Sequence, residues 1–111
     1  MAKKPSNYIG EFEELVLLAI LSQGDNAYGV TIRKALEEAT SRSITVGSLY
    51  TTLSRLEEKG LVRSWVGDST PERGGRAKRH YEVKGSAQSL LKEVQAARER
   101  LVALEFLGGI R

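Results

Sequence analysis

The sequence predicts a mainly α-helical fold with one small β-hairpin, an α+β arrangement that ends in a separate C-terminal helix. Three observations carry that prediction. Helical periodicity governs the chain up to Gly60, gives way to period two between Leu61 and Val83, and returns after Gly85 as a near-heptad apolar seam. At 111 residues the chain suffices for one domain with an appended helix, holding a modest core and no deep catalytic cavity.

Residues 1–9, small and polar with a Pro, read as a flexible arm. The first helix is expected from about Gly10. Glu11, Glu13 and Glu14 crowd its first turn, where carboxylates complement the positive end of the helix dipole. Phe12, Leu15, Val16 and Ala19 follow at i, i+3, i+4 and i+7, and Leu18, Ile20 and Leu21 widen the apolar surface until little of it can face water. This helix is the expected centre of the core. Gln23 to Asn26 form a turn in which Asp25 or Asn26 is placed to cap a second helix. That helix runs to about Ala39, with an inward stripe of Ile32, Ala35, Leu36 and Ala39.

A polar loop from Thr40 to Ser43 leads to a third helix over 46–59, with Thr45 as its N-cap and Gly60 as its stop. Leu49, Leu53 and Leu56 fall at i, i+4 and i+7 and face inward. The opposite face carries Gly47, Ser48, Thr51, Ser54 and Arg55, a slim surface of hydroxyls and one guanidinium. From Leu61 the alternation puts Leu61, Arg63 and Trp65 on one strand face, read as the inward one, and Val62, Ser64 and Val66 on the other. The tip, Gly67 to Gly75, has the Asp, Ser, Pro and Gly content of a mobile turn. A return strand from about Ala77 to Val83 turns Tyr81 and Val83 to the core and Lys78, His80 and Glu82 away from it. Three helices followed by a basic hairpin make a winged helix-turn-helix, expected over 10–85.

The last helix is expected over 86–107, with a short tail at 108–111. Ala87, Leu90, Val94, Ala97, Leu101 and Leu104 alternate spacings of three and four, and Leu91 and Val102 widen the seam. That is more apolar surface than a small monomer leaves exposed, so Leu90, Leu91, Val94, Ala97, Leu101 and Leu104 are read as a dimerisation seam. The alternative is that the helix folds back on its own domain.

Charge and composition narrow the function. The net charge is +3 and the pI about 9.3, but the basicity is local: Arg73, Arg76, Lys78, Arg79 and Lys84 stand against Glu82 alone. Positive charge on a protruding segment suits a phosphate backbone. There is no cysteine, no apolar stretch after the two N-terminal lysines to make a signal peptide, and no apolar run long enough to span a bilayer, so a cytoplasmic location is expected. Enzymatic function is excluded by the lack of a phosphate-binding glycine loop, of a serine motif with matching partners, and of more than one His. Adjacent pairs such as Glu13-Glu14 diverge by about 100° around a helix and cannot share a substrate; they read as solvated faces or cap charges. No cofactor or metal is expected.

A major groove admits a helix whose exposed side chains are short and polar. Ser48, Thr51, Ser54 and Arg55 are therefore the candidate base readers, with Arg55 the bidentate guanine reader. Tyr50, at the flank of the wheel, reads either as a phosphate contact or as an aromatic prop against the core. Arg73, Arg76, Lys78 and Arg79 are the candidate phosphate or minor-groove contacts of the wing. Trp65 is read as core or inter-subunit packing and His80 as an exposed strand residue. The competing function is a winged-helix protein-interaction module with incidental DNA affinity.

The motifs LVLLAILSQGDNAYGVTIRKAL (Leu15 to Leu36), SLYTTLSRLEEKGLV (Ser48 to Val62) and GGRAKRHYEV (Gly74 to Val83) give the chain a family likeness. It resembles PadR-type transcriptional regulators, in particular the short kind with a single C-terminal helix, from about Gly10 to Leu104. That resemblance implies a homodimer on a near-palindromic double-stranded operator, acting as a repressor and often answering to a small-molecule effector. It also implies that Tyr50 and Arg55 sit on the recognition helix, with Arg76, Lys78 and Arg79 at the DNA from the wing. Two departures stand out. Lys84 and Ala87 occupy positions where the family usually has Thr and Gly, so Ser86 is expected to cap the last helix. Some short members hold flat aromatic compounds between aromatic side chains of the C-terminal helices, whereas here that helix has only Phe106.

Overall fold

Helix α1 (Glu11–Gln23) runs through the middle of the domain and packs against α2 (Gly29–Thr40), α3 (Val46–Glu58) and the second strand of the hairpin. The computed structural model describes residues 9–67 and 77–107. The hairpin pairs β1 (Val62–Val66) with β2 (Arg79–Val83), and α4 (Gly85–Leu107) completes the order α1, α2, α3, β1, β2, α4. Most of the expected arm, the tip of the hairpin with Arg73 and Arg76, and the expected tail lie outside the described residues.

The core keeps the inward stripes expected of α3 and of α2 up to Leu36, while α1 also buries Leu17, which its expected stripe did not include. Val16, Leu17 and Ile20 of α1, Ile32 and Leu36 of α2, and Leu49, Leu53 and Leu56 of α3 are all buried, joined by Val62, Tyr81 and Val83 of the hairpin. Each large aliphatic side chain removed from water contributes about 1.5–3 kcal/mol. Thr45 caps α3 by accepting the Ser48 amide at 3.1 Å, and Gly60 ends the following turn with φ of 77°, a conformation open to glycine at little cost.

Several expectations are corrected. The N-cap of α2 is Tyr28, because Gly24–Asn26, including Asp25, is used in a 3-10 turn; the Thr31 hydroxyl accepts the Tyr28 amide at 3.1 Å instead. Ala39 is exposed, since the stripe of α2 turns outward after Leu36. The last helix begins at Gly85 rather than with a Ser86 cap: the Lys84 carbonyl accepts the amides of Ala87 and Gln88 at 3.0 and 3.1 Å. Leu18 and Leu21 of α1 face out.

The inward face of the hairpin is also the opposite of the expected one. The register pairs Val62 with Val83 and Ser64 with Tyr81, so these residues face the helices. Arg63 and Trp65, opposite Glu82 and His80, occupy the outer face, and Trp65 is 40% exposed. Leu61 is buried, but it precedes the strand and so does not fix its alternation. A further segment joins β2 at its other edge: Tyr28 bridges His80, and the Tyr81 amide donates to the Ala27 carbonyl at 2.9 Å.

Of the first-turn carboxylates of α1, Glu11 is exposed, whereas Glu13 and Glu14 are buried, not solvated. Glu13 accepts both the Gly10 amide at 2.9 Å and the Lys59 ammonium at 2.8 and 3.0 Å, which fastens the start of α1 to the end of α3. Glu14, 4% exposed, receives Arg98 at 2.9 and 2.7 Å and Gln95 at 2.9 Å, which fastens α4 to α1. The seam of α4 is thereby divided. Ala87 and Leu91 are buried in the chain's own core and Leu90 packs against it, so these three serve their own domain and the expectation of a free seam there is corrected. Val94 and Ala97 are half-buried, while Leu101 and Leu104 stand 66% and 65% exposed.

Candidate nucleic-acid interface

The turn between α2 and α3 is held by side chains of α2. Arg33 Nε donates to the Ile44 carbonyl at 2.7 Å, and the Glu37 carboxylate accepts the Ile44 amide at 2.8 Å. With Ile44 itself buried, these bonds set where α3 begins and which way it points. Burial of Leu49, Thr52, Leu53 and Leu56 on one side leaves Ser48, Tyr50, Thr51, Ser54 and Arg55 all exposed on the rest of the helix. The five candidates of α3 therefore share one open surface. Ser48 Oγ is engaged with the Thr45 carbonyl at 3.1 Å, and its exposure leaves its lone pairs accessible.

Tyr50 props α3 against α2 and leaves part of its ring open. It is 43% exposed, and the hydroxyl end of its ring lies against Gly29 in the first turn of α2: a Cβ there would lie 2.9 Å from Tyr50 Cζ and collide with Oη. Gly29 is thus a position where only a missing side chain lets two helices meet. Helix propensity alone would favour Gly29→Ala by about 1 kcal/mol. Because Tyr50 must move to admit the methyl, that variant is expected to melt no higher than wild type and to lose duplex affinity, as thermal denaturation and fluorescence anisotropy would show.

The wing carries a continuous ladder of cations and rings. The Arg63 guanidinium lies 4.7 Å from the Trp65 ring centroid, Trp65 stacks on His80 at 5.8 Å with 19° between planes, and His80 meets Tyr28 edge-on at 5.7 Å. Lys78 Nζ closes the series 4.3 Å from the centroid of the Tyr28 ring. His80 is consequently half-buried rather than an open strand residue, and Trp65 packs on the outer face. The ladder ties the base of the wing to the residue that precedes α2. Lys78 is brought to Tyr28, the residue just before the helix start that Tyr50 touches. Arg79 leaves the strand on the other face and donates to Ser64 Oγ at 2.9 Å, whose hydroxyl in turn donates to Glu57 at 2.9 Å near the end of α3. Both cations remain exposed. Sequence reasoning missed the partners of Tyr28, Gly29, Glu13 and Glu14, which lie far away along the chain.

On the far side of the wing, Leu21, Asp25, Trp65, His80, Glu82 and Gln88 border a half-open groove of about 460 Å³. Among the described residues no helix is long and apolar enough to cross a membrane.

A three-helix unit with a basic hairpin at its edge defines a winged helix-turn-helix, a fold of DNA-binding regulators. The profile of the transcriptional regulator PadR-like family matches residues 17–93, from α1 into the first half of α4, and the chain belongs to that family. Its members are transcriptional regulators and not enzymes. Solved structures agree. A PadR-like transcription factor from Bacteroides fragilis is 25% identical with a TM-score of 0.71, covering 88% of this chain and 89% of that one. A PadR family transcription regulator from Clostridium difficile is 27% identical with a TM-score of 0.64, over 88% and 99% of the two chains. The smu.1704 protein of Streptococcus mutans is 28% identical with a TM-score of 0.61, over 88% and 84%. A search of curated proteins gives no match.

Proposed function

We propose that the protein is a homodimeric, sequence-specific repressor that reads the major groove with α3 and holds the flanking phosphates or minor groove with its wing. The observation that carries this reading is the division of α3. Its leucines are all buried, whereas Ser48, Thr51, Ser54 and Arg55 are all exposed, as are Lys78 and Arg79 of the wing. Short hydroxyls and one guanidinium are the groups that fit a groove about 12 Å wide and pair with base edges. The second copy is called for by the apolar residues left uncovered on α1 and distal α4, namely Leu18, Leu21, Leu101, Val102 and Leu104. Two copies related by a two-fold axis meet half-sites about 34 Å apart, one turn of the duplex.

The experiment is binding of the purified protein to a fluorescent duplex from its own upstream promoter region against a scrambled duplex, across a salt series. A large preference for the promoter with steep salt dependence is expected. Equal, weak binding to both would favour a protein-interaction module. The two arginines separate under the same measurement. Arg55→Ala is expected to cost about 1–3 kcal/mol on the promoter and little on scrambled DNA. Arg79→Ala is expected to weaken both duplexes alike and to reduce the salt slope by about one. Equal losses on both duplexes for Arg55→Ala would remove it from base reading.

A further inference from the structure

Val46 is a large aliphatic residue at the first position of α3, and 52% of it is exposed. Single exposed valines are ordinary on a protein surface. Three features set this one apart. The N-terminal residues of a recognition helix are the ones that meet base edges. The next residue, Gly47, bears no side chain, and among the described residues nothing lies within 4 Å of where one would be, so the surface beside Val46 is open at that position. One turn on, at i+4, Tyr50 lies on the same flank of the helix, and its hydroxyl end rests on Gly29, whose neighbour Val30 is 70% exposed. Val46 and Tyr50 thus share one flank of α3, while Ser48 and Arg55 occupy the opposite flank.

We propose that Val46 is a specificity-determining residue that packs against the C5-methyl group of a thymine in each half-site. The proposal rests on α3 being the groove-reading helix. The thymine methyl is the one apolar group that base edges present in the major groove, and it is the natural partner of an aliphatic side chain there. The polar flank then distinguishes bases by hydrogen bonding, and Val46 adds preference for thymine at a position where Ser, Thr or Arg would accept other bases.

Deoxyuridine lacks only that methyl, which gives a direct test. Hydroxyl-radical footprinting of the promoter duplex first locates the two half-sites. Each thymine within them is then replaced in turn by deoxyuridine, and wild type, Val46→Ala and Val46→Ile are titrated against every duplex. For wild type, one thymine per half-site is expected whose replacement weakens binding about fourfold, the equivalent of one buried methyl group. Val46→Ala should bind the unmodified duplex more weakly, melt with wild type, and lose nothing further at that position. Val46→Ile should regain the sensitivity. The proposal is overturned if wild type is indifferent to every replacement, or if Val46→Ala keeps the wild-type sensitivity at each thymine. Failure of the underlying function looks different: wild type would bind promoter and scrambled duplex equally before any thymine is changed, and the proposal would fall with it.

Discussion

Leu101→Glu is expected to convert the protein to a monomer in sedimentation equilibrium and to lower its affinity for the promoter duplex about 10²- to 10⁴-fold, the range by which two linked contacts exceed one. The reason lies in how α4 divides its apolar residues. Its 23 residues extend about 34 Å. Ala87 and Leu91 are buried in the chain's own core, and the Glu14 pair with Arg98 fastens the middle of the helix. Past that clamp, Leu101, Val102 and Leu104 stand exposed, so a charge at Leu101 has little cost in the monomer and a large one against a second apolar surface. The melting temperature at low protein concentration should match that of wild type. If the variant stays dimeric, the interface lies elsewhere.

Lys59→Ala is expected to be the most destabilising surface-charge removal in the winged domain, costing about 2 kcal/mol and lowering the melting temperature by about 10 °C at neutral pH. It removes the ammonium that Glu13 faces at 2.8 Å, leaving a carboxylate whose side chain is 8% exposed with the Gly10 amide as its main remaining support. The pH dependence identifies the cause. Burial pushes the Glu13 carboxyl up, but the Lys59 ammonium and the Gly10 amide outweigh it, and the group is held below its ordinary value. A depressed carboxyl contributes stability that is present above its unfolded-state value and is lost as pH falls through the folded one. Wild type should therefore lose this contribution in acid, and the gap between wild type and Lys59→Ala should narrow below about pH 4. A gap that stays constant down to pH 3 would mean that Lys59 acts through packing of its alkyl stem instead.

The helices were legible because their apolar residues repeat with the helix period and their caps are local. Leu49, Leu53 and Leu56 declare the inner face of α3 in the sequence, and Thr45 and Gly60 mark its ends. The exposed candidates Ser48, Thr51, Ser54 and Arg55 followed by subtraction. The hairpin was legible as a hairpin, but not the face it buries. Leu61 suggested one phase, and only pairing with Tyr81 and Val83, already committed to the core, put Val62 and Ser64 inside and Trp65 outside. A period-two pattern with apolar residues in both phases does not choose between faces.

Partnerships over long separations were beyond sequence reading. Glu13 and Glu14 looked like dipole complements of the first turn, and nothing local to them announces Lys59, 46 positions on, or Arg98, 84 positions on. The same holds for the contact of Tyr50 with Gly29 and for the ladder from Arg63 to Lys78, whose members come from three separate segments. The sequence by itself determined the element order, the inner face of α3, the local excess of positive charge and the family likeness, because periodicity, caps and charge are short-range properties of the chain. Tertiary structure alone decided which carboxylates are buried, which strand face is covered and where the seam of α4 stops serving its own core, because each of those depends on side chains brought together only by folding.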